Sequence, residues 1–205
     1  MADLLDVYAE PYDPPYPVIC VDESPSQLVS DVRHPLPTTP GLPARYDYAY
    51  RREGTGNLCM CFQPLRGWRH VPVTARRTAR DFAQCMNDSV DVHVPTATSI
   101  SVVLDNLNPH TPAALYEPFA PAQARRILRT LDFRSTPKHG SWLNMAGIEF
   151  AVVTTPCLNQ RIPDQLTGGQ KIAAWETCRT AARATVHGQV TTLKARRKLK
   201  GLYPA

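Results

Sequence analysis

Two short apolar runs, Val18-Ile19-Cys20-Val21 and Val102-Val103-Leu104, each end on a carboxylate, Asp22 and Asp105. Uninterrupted β-branched runs of this length are expected of strands buried on both faces of a sheet. The pattern predicts strands at about 17–22, 57–63 and 68–73. Gly67 lies in the connection between the last two, which reads as an antiparallel hairpin, and Pro72 removes a ladder donor and so confines the third strand to an edge. A helix capped by Thr74 and running to about 90 follows, then a strand over 99–105. Pro121 opens a helix over 122–131, with Ile127, Leu128 and Leu131 at helical spacing, and a short strand over 133–136 comes next. Ser141 is placed to cap a helix over about 142–154, and helical stretches near 170–185 and 191–200 end the chain.

Three strands, a helix, a strand, a helix, a strand and then helices do not alternate as a doubly wound dinucleotide fold does. This is the element order of an α/β ribonuclease H-like fold, a mixed five-stranded sheet flanked by helices, with the first and fourth strands parallel neighbours. Ligands of open α/β sheets bind beyond the carboxyl ends of the strands, which brings Asp22 and Asp105 to one edge. Two carboxylates held that close repel unless a cation lies between them, and magnesium, which keeps several waters, needs few protein ligands. A pair of such ions about 4 Å apart supports in-line displacement at phosphorus.

Length and composition add a partner to this picture. The 205 residues suit one substantial core, read as a Pro-rich lead-in over 1–16, a catalytic domain over 17–186 and a basic helical tail over 187–205. Many of the 20 prolines fall in Pro11 to Pro17 and Pro35 to Pro43, which read as extended loops. The formal charge of +5 favours an anionic partner, and the positive side chains cluster: Arg51-Arg52, Arg76-Arg77 with Arg80, Arg125-Arg126 with Arg129, and Lys194 to Lys200. No eighteen-residue apolar run and no basic-then-apolar leader is present, so a soluble, cytoplasmic protein is expected. Cys59 and Cys61 face one side of a strand near His70, but no second pair follows as zinc frameworks require, and buried core thiols are the expectation. Trp68, Trp142 and Trp175 are likewise expected in the core.

Longer motifs sharpen the reading. Asp105-Asn106-Leu107-Asn108 with His110-Thr111-Pro112, and Thr136-Pro137-Lys138-His139-Gly140-Ser141-Trp142-Leu143-Asn144-Met145-Ala146, resemble the catalytic domain of DDE-type bacterial insertion-sequence transposases of the mariner-like superfamily. Val21-Asp22-Glu23 is similar to the first-aspartate motif of that family. The resemblance implies DNA transposition by magnesium-dependent phosphodiester hydrolysis and strand transfer, with manganese able to substitute for magnesium. It further implies double-stranded DNA partners, at transposon ends and target, a homodimer or larger assembly, and a nucleoid-associated location in a bacterial cytoplasm. Asp22 and Asp105 map onto the first two metal ligands.

The family's third acid falls three residues after the helix asparagine, and here that position is Gly147, which has no ligand atom. Glu149 is the candidate substitute, although two residues along a helix turn the side chain by about 200°. As the only charged residue between Ser141 and Cys157, Glu149 needs a cation, solvent or a raised pKa. Pro156, Gly168-Gly169 and Gly188 also depart from the family pattern, and a catalytically inactive, nonspecific DNA-binding remnant is the alternative function. A hydrolase of RNA-DNA hybrids is a third reading that the motifs disfavour. The helix-turn-helix modules that family members carry upstream have no counterpart before Asp22, so sequence-specific end recognition is not expected of this chain.

Lys138, His139, Arg125, Arg126, Lys194, Arg196, Arg197, Lys198 and Lys200 are the candidate phosphate-binding residues. His110 is a further loop candidate, and Asn106 and Asn144 are candidates for orienting ligands or for turn and helix-start roles.

Overall fold

The computed structural model describes residues 1–105 and 111–198. The motif residues Asn106, Leu107, Asn108 and His110, and the tail residue Lys200, lie outside the described residues. A sheet of six strands, β1 (Val18–Asp31), β2 (Tyr50–Gln63), β3 (Trp68–His70), β4 (Val73–Thr74), β5 (Ile100–Leu104) and β6 (Leu131–Ser135), forms the centre. The strand order is β3-β2-β1-β5-β6, with β4 also paired to β2. β1 and β2 are antiparallel, whereas β1 pairs with β5 and β5 with β6 in parallel. The predicted parallel contact between the strands that carry the two aspartates is therefore present.

Pro72 explains why one predicted strand is two. Lacking an N–H, it interrupts the ladder between β3 and β4, yet its carbonyl still accepts from Cys59 N at 3.1 Å. Gly67 closes the hairpin between β2 and β3 with φ +67°, and a Cβ there would lie 2.6 Å from the Arg183 carbonyl carbon, so only glycine fits. β1 and β2 run far beyond their apolar segments, to 14 residues each, because backbone pairing continues where the side chains turn polar.

Helices cover both faces. On one, α2 (Ala79–Asp88) and α3 (Pro121–Thr130) bury Phe82, Met86 and Ile127 against Ile19, Val21, Cys61 and Leu104. On the other, α1 (Ala2–Ala9), α4 (Ala146–Val153), α5 (Gln165–Ala181) and α6 (Thr192–Lys198) bury Leu4, Ala146, Ile172 and Ala195 against Cys20, Met60, Phe62 and Val103. The alternation of strand side chains sorts the two sets, since Cys20, Phe62 and Val103 are register partners, as are Val21, Cys61 and Leu104.

Several local expectations are corrected. The cap of α2 is Thr78, which accepts from Asp81 N at 3.2 Å while Asp81 accepts from Thr78 N at 3.0 Å, a reciprocal capping box that Thr74, still in β4, cannot make. The helix expected over 142–154 is a short 3-10 turn over Ser141–Leu143 and then α4, divided at the extended Asn144. Residues 2–9, within the expected Pro-rich lead-in, form a helix because Leu4 and Leu5 find the core. Trp142 is exposed rather than core.

Between α4, α5 and β3 lies a buried charge cluster. Glu149, with no exposed surface, pairs with Arg69 at 3.0 Å and with Arg179 at 2.8 Å. Arg69 is equally buried, donates to the Ala184 carbonyl at 2.6 Å, and lies over the rings of Phe62 and Trp175. Burial lowers the Arg69 pKa, with Glu149 opposing the shift and Arg179 adding to it. Removing the acid strands two guanidinium groups, one of them fully buried. Glu149→Gln is expected to destabilise the fold by about 3–5 kcal/mol, read as a lower urea midpoint at unchanged slope.

Candidate active site

The parallel ladder between β1 and β5 stops at the pair Val21 and Leu104. The next residue on each strand is the aspartate, so Asp22 and Asp105 stand level where the two strands part. β1 itself continues, pairing Asp22 with Met60 on β2, so Asp22 ends only the parallel contact and not the strand. Both carboxylates fall on the face covered by α1 and α4, as Cys20 and Val103 two residues earlier do. Each is partly exposed, unlike the fully buried residues that precede them.

Neighbouring groups fix this edge. Thr136, just past β6, donates its hydroxyl to Asp105 Oδ1 at 3.0 Å and its N–H to the Leu104 carbonyl at 2.9 Å. Asp22 Oδ1 accepts from the backbone N–H of Glu23 at 2.8 Å. The negative field reaches further: burial pushes the Cys20 thiol up to about 12, with Asp22 adding to the shift. Tyr8 of α1 donates to the Leu143 carbonyl at 3.0 Å, and its pKa is raised by burial first, by Cys20 next and, more weakly, by Asp105.

Asn144 ties the third element to this edge. Its Nδ2 donates to the Val21 carbonyl at 2.8 Å, one residue before Asp22, and its Oδ1 accepts from Ala146 N at 3.1 Å at the start of α4. A single buried amide thus starts the helix and pins it to β1, which is the helix-start role the sequence offered; its contact at β1 is to the Val21 backbone and not to a carboxylate. Gly147 follows in the first turn of α4, exposed, and a Cβ built there meets nothing within 4 Å.

Glu149 does not join the aspartates. Both its oxygens are occupied by Arg69 and Arg179 in the interior, so its need for a counter-charge is met by two arginines rather than a metal ion. Sequence reading did not identify the partners, because Arg69 and Arg179 are 80 and 30 residues away and only packing brings them together. Glu23, beside Asp22 but on the opposite face, pairs with Arg77.

The candidate phosphate-binding side chains spread over several elements. Lys138 and His139 are exposed in the loop after β6, on the aspartate edge, with His139 at φ 62°. Arg125 is exposed on α3, whereas Arg126 is held by Asp91 through two contacts of 2.7 Å, which raises its pKa. Lys194, Arg196, Arg197 and Lys198 are exposed on α6, which Ala195 anchors to the core and Thr192 joins to Asp6 of α1. Among the described residues no helix is long and apolar enough to cross a membrane.

Solved structures share this fold. The fold is similar to the Mos1 mariner paired-end complex with Mn (18% identity, TM-score 0.58, covering 89% of this chain and 54% of that one). It is also similar to the Mos1 transposase paired-end complex with left transposon end (17% identity, TM-score 0.50, covering 91% and 60%). The chain therefore has the ribonuclease H-like fold and spans only about half the length of the structures it matches. No curated protein matches it significantly. The family model described as DDE superfamily endonuclease matches residues 17–167, a span that holds both aspartates and α4, and families of this kind work with divalent metal ions. On that match, which covers most of its length, the chain belongs to the DDE superfamily endonucleases.

Proposed function

We propose that this chain is the catalytic domain of a DNA transposase that cuts and joins phosphodiester bonds of double-stranded DNA, at transposon ends and target, with Asp22 and Asp105 as ligands to magnesium. The observation that carries the reading is the level placement of the two aspartates at the end of the β1 and β5 ladder, inside a DDE endonuclease family match. Two partly exposed carboxylates on neighbouring parallel strands suit hard, oxygen-preferring cations such as magnesium and manganese. When bound, such ions polarise the scissile phosphate and lower the pKa of attacking water.

The chain's own groups have defined parts. Thr136 orients the Asp105 carboxylate by its hydrogen bond to Oδ1. Asn144 holds the first turn of α4 against the end of β1. Lys138 and His139, on the same sheet edge, would hold the DNA phosphates, while Arg125, the α6 cations Lys194, Arg196, Arg197 and Lys198 and, on release from Asp91, Arg126 would offer sequence-independent backbone contact. Gly147 supplies no third ligand. We assign the protein to the nucleoid-associated pool of a bacterial cytoplasm, working as a homodimer or larger assembly on paired DNA ends.

Three outcomes test this. In calorimetric titration with manganese or magnesium, Asp22→Asn and Asp105→Asn should each weaken binding about 100-fold or more; heats unchanged by both substitutions would refute the assignment. Because the position is open and helical, Gly147→Ala should stabilise the protein by about 0.5–1 kcal/mol in thermal or urea unfolding. Gly147→Glu should raise metal-dependent nicking of duplex DNA well above the starting chain, in the presence of a supplied DNA-binding domain. Nicking that stays at background would sink the transposase reading of this site.

A further inference from the structure

On the sheet face opposite the aspartates, three thiols converge. Cys59 and Cys61 project from β2 toward α2, which carries Cys85, and all three sulfurs lie within 4.8 Å of one another. Cys61 Sγ is 2.7 Å and Cys59 Sγ 3.5 Å from Cys85 Sγ. Each of the three residues is nearly or wholly buried. A tetrahedral ion with Zn–S bonds of ~2.3 Å spaces neighbouring sulfurs about 3.8 Å apart; Cys59 and Cys85 are near that spacing, and Cys61 and Cys85 would move apart by about 1 Å to admit the ion.

We propose that Cys59, Cys61 and Cys85 form a structural zinc site between β2 and α2, with its fourth position facing the cleft that His70 and His93 line. The cleft, of about 100 Å³, has Cys59, Cys85, His70 and His93 in its walls and provides the entry path that a buried metal site requires. His70 is the register partner of Cys61 across β2 and β3 and therefore lies on the thiol face. Its Nδ1 is 3.1 Å from Glu176 Oε1, the kind of carboxylate–imidazole contact that orients metal-binding histidines, and the ring lies outside the 4.8 Å group that the three sulfurs form. His93 sits 4.7 Å from His70, ring centre to ring centre, on the turn that follows α2. Three soft sulfurs select zinc over the magnesium suited to the aspartates, so the two sites take different ions. Bound there, zinc would clamp α2 to the sheet directly behind β1.

The test uses the full chain, reduced, carrying Asp22→Asn and Asp105→Asn to silence carboxylate binding and Cys178→Ser to remove the exposed thiol. Cobalt(II) added to this protein should give a sulfur-to-cobalt charge-transfer band and intense tetrahedral visible bands at one equivalent, both abolished by zinc. Cys59→Ser and Cys85→Ser should each weaken cobalt binding about 100-fold or more. Should a serine variant fail to fold, the unsubstituted thiol cluster still decides the matter: chelator treatment of the zinc-loaded protein should lower its melting temperature, and added zinc should restore it. A folded, reduced protein with no thiolate band would overturn the proposal, as would a band unmoved by both serine substitutions or a melting temperature indifferent to chelator and zinc.

Discussion

The parallel pairing of β1 with β5 is the contact on which the rest of the site depends. Four residue pairs, from Val18 with Ser101 to Val21 with Leu104, set two strands from distant parts of the chain in one register. Register in a sheet is unforgiving, since a slip of one residue would turn each buried side chain to the other face. Here such a slip would move an aspartate from the α4 face to the α2 face. The apolar layers on both sides, with Ile19, Cys20, Val21, Val102 and Val103 fully or almost fully buried, hold the register that keeps both carboxylates level.

A second constraint fixes α4 relative to that edge. Asn144 bonds the Val21 carbonyl at the near end of the helix, and Glu149 engages Arg69 and Arg179 one turn further on. One anchor is the extended residue just before the helix, tied to the end of β1, and the other lies in the first turn of the helix and turns into the charge cluster with β3 and α5. Gly147 falls between them with open space beside it. Both anchors act at the N-terminal half of α4, so the position of its first turn does not depend on a side chain at Gly147.

The two faces of the sheet have separate chemistry. Hard oxygen donors stand at the strand ends on the α4 face, while sulfur and imidazole groups gather under α2 on the other. Alternation along β1 and β2 produces this separation: Asp22 and Met60 point one way, Glu23 and Cys59 the other, from adjacent positions of the same strands.

Much of this was legible in the amino-acid sequence. The two apolar runs ending in aspartates, the hairpin at Gly67 and the edge position enforced by Pro72 are local features, carried by residue type and spacing, whereas the missing acid at Gly147 was legible only against the family that the motifs resemble. They specified the ribonuclease H-like element order and the positions of Asp22 and Asp105. Tertiary structure alone decided the rest, because it depends on long-range contacts. The partners of Glu149 lie 80 and 30 residues away, the amide of Asn144 reaches back 123 residues to β1, and Cys85 meets Cys59 and Cys61 only when α2 packs on β2. No periodicity encodes such meetings. They follow from burial, which makes a charged or polar group inside the core seek whichever complementary group the fold brings within reach.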